Sequence, residues 1–293
     1  MEKIWCHVFN NELQVDPVEH NAMLTEVAMR PKQNREIMAQ LMFETFNVPA
    51  LYIALPATLS LYNSGKFTAF VVEMGDGVSQ FVQIIDGNPK ENTIISIDLG
   101  GRDLTEFMLR ILNEAGYKFF SNSYHKEIAK TIKEALCYVP LDFEEELKSI
   151  LPFYYEFPDN TLISVKDQQI RCPEALFKPG MIGKEGKGIE KICFDSIEKS
   201  QSDIRKDLYQ SIVLFGCNSM YNGLPERLSK EIRSLAPESM KEEVKVITSP
   251  ERKFAAWKGG AILSSISTFE SMCITKTEYE EYGKTIVHRQ KTL

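Results

Sequence analysis

Three short glycine-containing turns are the part of this sequence best suited to holding a ligand. They are Gly75-Asp76-Gly77, Gly100-Gly101 and Gly216-Cys217-Asn218-Ser219, and each follows a stretch that we expect to form a β-strand. Glycine lets backbone N–H groups approach an anion closely, and a helix that starts after the turn adds a favourable dipole. The turns could therefore hold phosphate groups. They could also be plain turns, because neither GxGxxG nor GxxxxGK[ST] occurs in the chain.

Cysteine and histidine give no spacing typical of a metal site or of a thiol nucleophile. The six cysteines lie at least 20 residues apart, and the histidines are His7, His20, His125 and His288. Zinc sites and Cys/His catalytic pairs need closer or more regular spacing. We therefore expect no metal ligands, no catalytic residue of this kind, and reduced, mostly buried thiols.

The glycine turns are predicted to lie between strands and helices. Alternating apolar residues on both sides of Gly75-Asp76-Gly77 predict two strands joined by a tight turn. A third strand, over 93–98, leads to Gly100-Gly101 and then to a helix with Asp103 as the expected N-cap and Glu106 three residues later. Further helices are predicted at 204–209 and 225–235, and further strands at 211–215 and 244–248.

The remaining pattern predicts a helical start and an inserted region. Ile4, Trp5, Val8 and Phe9 share one helical face, and helices are also expected over 34–46 and 59–62, with a strand at 52–55 between them. The polar region 116–188 contains a predicted helix at 127–137 and a hairpin at Asp159-Asn160, and we interpret it as an inserted subdomain. Strands alternating with helices predict an α/β fold with helix-covered sheets.

Composition limits the classes of function. The chain has 293 residues, enough for two domains or lobes, with 43% hydrophobic residues and a net charge of −7. No run of Lys or Arg exceeds two residues, which argues against nucleic acid or a membrane as partner. The N-terminus lacks the pattern of a signal peptide, so we expect a cytoplasmic protein whose partners are proteins or small molecules.

Many segments resemble sequences of the actin family, in the same order along almost the whole chain. The longer ones are Met42-Phe43-Glu44-Thr45-Phe46-Asn47, Gly75-Asp76-Gly77-Val78, Gly101-Arg102-Asp103-Leu104-Thr105, Cys172-Pro173-Glu174-Ala175-Leu176-Phe177 and Asp203-Ile204-Arg205-Lys206-Asp207-Leu208-Tyr209. Shorter ones lie at 4–5, 12–13, 24–26, 59–62, 132–134, 136–139, 250–253 and 286–289.

The resemblance implies the two-lobed ATP-binding fold that actin shares with sugar kinases and heat-shock chaperones. Actin's N-terminal quarter, with its first phosphate hairpin, has no counterpart before Met1, so we expect the first lobe to be incomplete. Residues 1–65 with 255–293 would form the outer subdomain of the first lobe, and 66–100 with 189–254 the inner subdomain of the second. Residues 101–188 would form the inserted outer subdomain of the second lobe.

The resemblance also implies a nucleotide site, with ATP or ADP and Mg²⁺ as weakly held cofactors. Four residues would form the second phosphate loop: Gly75, Asp76, Gly77 and Val78. Gly101 would lie near the sugar. The purine and ribose side would be formed by Lys133, Glu134, Gly216, Met220, Tyr221 and Lys253.

Several positions depart from the actin pattern at the implied catalytic centre. Pro56 and Gln80 stand where actin has the glutamine and histidine near the attacking water. Glu73 replaces an aspartate that holds the water shell of the cation, Met74 replaces a serine, and Cys217 replaces a glycine. Phosphoryl transfer needs positioned water, cation and charge clamps together, so we expect very weak ATP hydrolysis.

The resemblance implies one further site, a cleft in which actin binds the apolar helices of its partners. The matching residues are Tyr62, Ile262, Leu263, Ile266, Thr268 and Met272. The same apolar residues could instead pack in a core. Lys258 stands where actin has an apolar rim residue, and residues 290–293 replace the Cys-Phe end of actin.

Three functions fit these observations. The chain is predicted to be an actin-like cytoskeletal or interaction protein that binds cytoskeletal or actin-binding proteins and cannot polymerise alone. Loss of actin's small subdomain and the lysine-rich surroundings of Met181-Ile182, in the segment 178–187, both argue against filaments. The alternatives are an ATPase of the actin superfamily and a truncated product with little function.

Overall fold

The computed structural model describes residues 1–156, 160 and 162–289. The chain forms two compact units. The first unit contains Met1–Phe67, Asp86–Asn88 and the chain from Ala256 onward, and the second contains Thr68–Ile85 and Pro89–Ala255. Among the described residues, no helix has both the length and the apolar character that crossing a membrane requires.

The first unit is built on a three-stranded sheet. Its strands are β1 (Ala22–Thr25), β2 (Ala50–Ala54) and β11 (Ile274–Thr275), in the order β1-β2-β11. β1 runs parallel to β2, and β11 pairs antiparallel with β2, so the C-terminal part of the chain packs on the N-terminal part. The helices are α1 (Glu2–His7), α2 (Lys32–Gln40), α3 (Pro56–Ser64), α11 (Ala255–Ser264), α12 (Phe269–Met272) and α13 (Lys276–Tyr282).

Both faces of this sheet are covered by apolar side chains. Leu51 and Ile53 pack with Met42 and Phe43 on one side, and Tyr52 packs with the α11–α12 segment on the other. α1 and α2 each continue into a π-helical segment, Val8–Leu13 and Leu41–Thr45. The helix predicted over 34–46 is therefore α-helical only as far as Gln40. The apolar face predicted for α1 is only partly used, because Trp5 and Phe9 pack on the core while Ile4 is exposed.

The second unit is built on a larger mixed sheet. Its strands are β3 (Ala69–Met74), β4 (Ser79–Ile85), β6 (Ile95–Ile97), β9 (Ile212–Phe215) and β10 (Val246–Ile247), with the two-residue β5 (Asn88–Pro89) after β4. They lie in the order β10-β9-β3-β4, and β6 also pairs with β4. β3 runs parallel to β9 and antiparallel to β4.

Helices cover this sheet, and a hairpin lies beside them. The helices are α4 (Gly101–Glu114), α5 (Ser123–Leu136), α6 (Phe143–Ser149), α7 (Gln168–Glu174), α8 (Ile189–Glu198), α9 (Ser202–Gln210) and α10 (Leu224–Leu235). The hairpin strands are β7 (Phe153–Glu156) and β8 (Leu162–Val165). Asn160 of the predicted turn has a φ of 63°, whereas Asp159 lies outside the described residues, as does the tail 290–293.

The predicted start of α4 is wrong by three residues. The helix begins at Gly101, with Gly100 as its N-cap, and Asp103 is the third helical residue. The Gly100 N–H donates to the Asp103 carboxylate over 2.9 Å, so this carboxylate stabilises the first turn from inside the helix. The sequence pattern also did not predict β1, α6, α7 or α8.

Candidate functional site

The Gly75–Val78 turn joins β3 to β4 and docks on the first turn of α4. The Gly75 N–H donates to the Val78 carbonyl over 3.0 Å and closes the turn. The Gly101 and Arg102 N–H groups donate to the carbonyls of Gly75 and Asp76, at 3.0 and 2.8 Å. The first two N–H groups of α4 are therefore bonded to the turn and are not available to a ligand. Within the described chain, the N–H groups of Asp76, Gly77 and Val78 donate to no backbone carbonyl, and such free neighbouring N–H groups suit an anion.

Glycine is required at two of these positions by close backbone contacts. A Cβ on Gly100 would lie 2.3 Å from the Asp76 carbonyl oxygen. A Cβ on Gly216 would lie 2.3 Å from the Met74 carbonyl oxygen, and Gly216 also has a φ of +98°. Both glycines thus allow the ends of β3, β9 and α4 to meet. Their first role is to pack the backbone, and a ligand is not needed to explain them.

A Cβ would fit on Gly101 without a clash, and we call the space in front of Gly101 the polar volume, because polar side-chain atoms border it. This Cβ would be 3.5 Å from each of three atoms, the Asp76 Oδ1, the Lys133 Nζ and the Asn218 Oδ1. These atoms come from the β3–β4 turn, from α5 and from the turn after β9. The fold therefore brings all three glycine turns and Lys133 together, although they are far apart in the sequence.

Lys133 is a buried cation on α5. The residue is only 5% exposed. Its Nζ donates to the Gly101 carbonyl at 2.8 Å and to the Thr105 hydroxyl at 3.0 Å. Burial lowers the pKa of the Lys133 ammonium. Throughout the described chain, no carboxylate lies within ion-pair distance of it. A buried, unpaired ammonium is costly, so it favours an anionic or acceptor-rich ligand.

Asn218 provides a second polar group that lacks a partner. It is 5% exposed, and its Oδ1 accepts a hydrogen bond from the Tyr221 hydroxyl over 3.3 Å. Its Nδ2 is buried and has no hydrogen-bond partner in the part of the chain that the structure describes. Burial raises the pKa of Tyr221 well above its usual range, so this hydroxyl stays protonated. An orphaned buried donor beside a glycine turn is consistent with a ligand site.

Sequence patterns did not predict roles for Thr105 and Asn218. Asn218 lies inside the third glycine turn, and this was the only signal available for it. Thr105 lies in a segment that resembles the actin family, but its contact with Lys133 could not be predicted because it joins residues on two helices.

The acidic residue at the end of β3 does not suit a cation. Burial raises the pKa of Glu73 to about 7, and its Oε2 has no hydrogen-bond partner among the described residues. A carboxyl that is often protonated at neutral pH is a poor ligand for Mg²⁺. No group of three or more His, Cys, Asp or Glu in the described chain could hold a metal ion. In this environment Glu73 is therefore a poor ligand for a cation.

The other residues predicted to bind the nucleotide differ in how buried they are. Met220 and Tyr221 follow the 3₁₀ turn Cys217–Ser219, with Met220 half-buried and Tyr221 buried. Glu134 is exposed beside Lys133 on α5. Lys253 is exposed, and its ammonium lies 4.8 Å from the ring of Phe254, with no hydrogen bond or ion pair to the Gly101 region among the described contacts.

The predicted partner cleft lies in the first unit and is only partly exposed. Leu263 and Met272 are 2% and 5% exposed and pack in the core with Tyr52 and Phe269. Ile262 is 48% exposed. Tyr62 and Ile266 are half-buried, and Thr268 is exposed. We call Tyr62, Ile262, Ile266 and Thr268 the apolar patch, because these four residues could contact a partner without unfolding.

All six cysteines are free thiols. Cys137, Cys172, Cys193 and Cys273 are buried, as predicted for most of them, whereas Cys6 and Cys217 are exposed. Cys217 is therefore an accessible thiol within the third glycine turn.

The chain matches the protein-family model described as Actin over residues 1–292. This match includes the three glycine turns, Lys133 and the apolar patch. Because it covers almost the whole chain, it rests on the complete pattern of both units and not on one motif.

Proposed function

Since the chain belongs to the actin family, we propose that it is an interaction protein of the cytoskeleton with an adenine-nucleotide site and very weak catalysis. In this proposal it acts in the cytoplasm, binds cytoskeletal or actin-binding proteins, and does not form filaments alone. The observation that carries the proposal is that the three glycine turns and Lys133 lie together around Gly101, while the residues at the implied catalytic positions differ from those of the actin pattern.

Nucleotide binding is supported by the polar volume above Gly101. The free N–H groups of Asp76, Gly77 and Val78 suit phosphate oxygens. Among the described residues, Lys133 supplies a buried positive charge without a carboxylate partner, and Asn218 supplies an unused donor. A bound adenine nucleotide would satisfy groups that are otherwise costly to bury.

Weak catalysis is supported by three side chains. Pro56 is the first residue of α3 and has neither a polar side chain nor a backbone N–H. Gln80 is 2% exposed within β4. Glu73 has its pKa raised to about 7 by burial. Loss of a single positioned donor in an active site typically lowers kcat by about a hundredfold to a thousandfold, so several losses together leave little turnover.

Absence of filaments is supported by the contacts of segment 178–187. The Lys184 ammonium pairs with Asp103 over 2.7 Å and also contacts Asp98. Lys187 pairs with Asp195, and Arg110 donates to the Met181 carbonyl. These contacts hold the segment against its own unit. In the proposal it is therefore not free to contact a neighbouring copy.

The test combines three measurements on the purified full chain. We expect micromolar or weaker binding of a fluorescent ATP analogue, ATP turnover at background, and no pellet under polymerising salt unless actin is added. Robust turnover would contradict weak catalysis and favour the ATPase alternative. Filaments of the chain alone would contradict the polymerisation proposal. If the chain binds neither nucleotide nor actin, the result would favour a product with little function.

A further inference from the structure

Thr105 and Lys133 share one hydrogen-bond network at the base of the polar volume. The Thr105 hydroxyl donates to the Gly101 carbonyl over 3.0 Å. The Lys133 Nζ donates both to this carbonyl, at 2.8 Å, and to the Thr105 hydroxyl oxygen, at 3.0 Å. Thr105 is 8% exposed, so water does not replace it easily. The network fixes the direction of each proton.

The network also fixes the direction of the lysine. An ammonium has three N–H donors, and two of them are used by Gly101 and Thr105. The Lys133 Nζ lies 3.5 Å from the position of a Cβ on Gly101, which is the start of the polar volume. With two donors held at the first turn of α4, the third has no partner among the residues that the structure describes and can serve a group in that volume. A lysine held at one point only would keep more freedom of rotation.

We infer that Thr105 is a positioning residue that aims the Lys133 ammonium at an acceptor atom of a bound adenine nucleotide. This inference rests on the proposed nucleotide site. The inference adds Thr105 of α4 to the site. Thr105 acts on the ligand only through Lys133. Its chemical requirement is a hydroxyl that donates to one carbonyl and accepts from the ammonium at the same time.

The hydroxyl also affects the charge of Lys133. Burial lowers the pKa of the Lys133 ammonium, and an accepted hydrogen bond from that ammonium favours its charged form. The other titratable groups that influence it are Cys172 on α7, Glu134 and Cys137 at the end of α5, and Asp76 in the β3–β4 turn. Removing the Thr105 hydroxyl leaves all four in place. The change should therefore lower the pKa of Lys133 further, and it should weaken nucleotide binding more as pH rises.

The experiment compares three single variants with the full wild-type chain. Thr105→Val keeps the shape and removes the hydroxyl, and Thr105→Ser keeps the hydroxyl. The matched control is Thr131→Val, because the Thr131 hydroxyl also donates to a carbonyl four residues earlier, that of Glu127, over 2.9 Å. Thr131 is exposed and lies two residues from Lys133 on α5, hence on another face of the helix. Each protein is titrated with ADP and ATP at about pH 7 and about pH 9.

We expect Thr105→Val to weaken ADP and ATP binding by about tenfold at neutral pH, and by more at the higher pH. Thr105→Ser should stay within about twofold of wild type, and Thr131→Val should bind as wild type does. Melting curves without ligand check that each variant is folded. A purely structural role for Thr105 would lower the melting temperature without a pH-dependent change in affinity.

The outcomes separate this inference from the proposal on which it rests. If the wild type binds nucleotide and Thr105→Val binds equally well at both pH values, the role of Thr105 is wrong and the nucleotide site stands. A loss that does not depend on pH and is not rescued by serine also overturns the role of Thr105. If the wild type binds neither ADP nor ATP, the nucleotide site and this inference are both wrong.

Discussion

The two candidate sites of this protein are made in different ways. In the second unit the site around Gly101 rests on close backbone contacts, since a Cβ on Gly100 or Gly216 would collide with a carbonyl oxygen at 2.3 Å, and side chains such as Lys133 are placed on that frame. In the first unit the apolar patch is made by side chains, and the neighbouring Leu263 and Met272 belong to the core. A backbone site tolerates few substitutions but keeps its geometry without a ligand. A side-chain patch can change its partner through one or two exposed residues.

The difference explains which departures from the actin pattern can be accommodated. In the turns, most changes from that pattern fall on side chains that surround an intact backbone, such as Glu73, Met74 and Cys217. In the proposed function, the backbone of the turns could therefore still hold a nucleotide although these side chains differ. On the patch, by contrast, the lysine at 258 in place of an apolar rim residue would, under the proposed function, alter the chemistry offered to a partner.

The largest expected effect tests whether the apolar patch also depends on a backbone contact. A Cβ on Gly259 of α11 would lie 1.7 Å from the Leu59 carbonyl oxygen and 2.4 Å from the Leu59 carbonyl carbon, so α3 and α11 would have to separate. We expect Gly259→Ala to lower the free energy of unfolding by about 4 kcal/mol or more. Urea denaturation followed by circular dichroism measures this change.

The next residue on α11 provides the control. A Cβ on Gly260 would meet the Met23 Sδ at 3.2 Å, and this flexible side chain can move. We expect Gly260→Ala to change stability by no more than about 1 kcal/mol, partly because alanine favours a helix. Equal urea midpoints for the two variants would show that the close contact between α3 and α11 is not a real constraint.

The second prediction concerns the cost of a buried carboxyl in the turn site. The pKa of Glu73 is raised by burial from 4.5 to about 7, so the folded state favours the protonated form. Below about pH 4.5 the Glu73 carboxyl is protonated in both the folded and the unfolded state, so it costs no stability. As pH rises to about 7, this carboxyl ionises first in the unfolded chain, and the free energy of unfolding falls by up to about 3 kcal/mol. Glu73→Gln should remove this loss.

The measurement is the free energy of unfolding of wild type and Glu73→Gln at two pH values. We expect the variant to be more stable by about 2 to 3 kcal/mol at about pH 8 and equally stable at about pH 4. Glu91→Gln, at an exposed carboxylate, is the matched control and should show no such difference. A gain for Glu73→Gln that is the same at both pH values would mean that ionisation is not its cause.

The third prediction tests the exposed part of the apolar patch. Ile262→Asp places a charge at a residue that is 48% exposed, so the fold should be unaffected while an apolar partner is repelled. We expect about 2 kcal/mol weaker association in co-sedimentation with actin, and an unchanged melting temperature. Leu263→Ala, one residue later in the core, should instead lower the melting temperature. Unaltered co-sedimentation of Ile262→Asp would remove the patch from the proposed interface.

Local sequence patterns predicted many of the elements, but they missed β1, α6, α7 and α8 and did not give every boundary. The alternation around Gly75-Asp76-Gly77 predicted β3 and β4, because the strands need period two and the turn needs glycine. The start of α4 was misplaced because Asp103 and Glu106 fit a capping box, whereas the Gly101 and Arg102 N–H groups bond to carbonyls of a distant turn. β1 has four residues and depends on pairing with β2, so its own sequence gave little signal.

In the candidate site, too, contacts between distant elements could not be predicted from local sequence. The glycine turns were predicted as possible phosphate sites from their own pattern, whereas Lys133 was predicted only from the resemblance to a known family. Thr105 and Asn218 were not predicted, since their roles depend on how α5 and the turn after β9 pack against α4. Burial of Glu73 could not be predicted either, because an acidic residue in a strand is usually exposed.

The smallest expected effect compares the two exposed thiols, one in each unit. Cys217 lies in the third glycine turn, and Cys6 lies in α1 of the first unit. A thiol reacts only where the reagent reaches it, so a nucleotide bound over the turn should shield Cys217 and leave Cys6 unchanged. At ADP concentrations ten times the Kd, complete shielding would slow alkylation of Cys217 by about tenfold.

Iodoacetamide labelling followed by mass spectrometry of peptides measures both rates in one sample. Equal rates with and without ADP, in a chain shown to bind it, would place the nucleotide away from this turn, whereas equal slowing of both thiols would indicate a global effect on the fold.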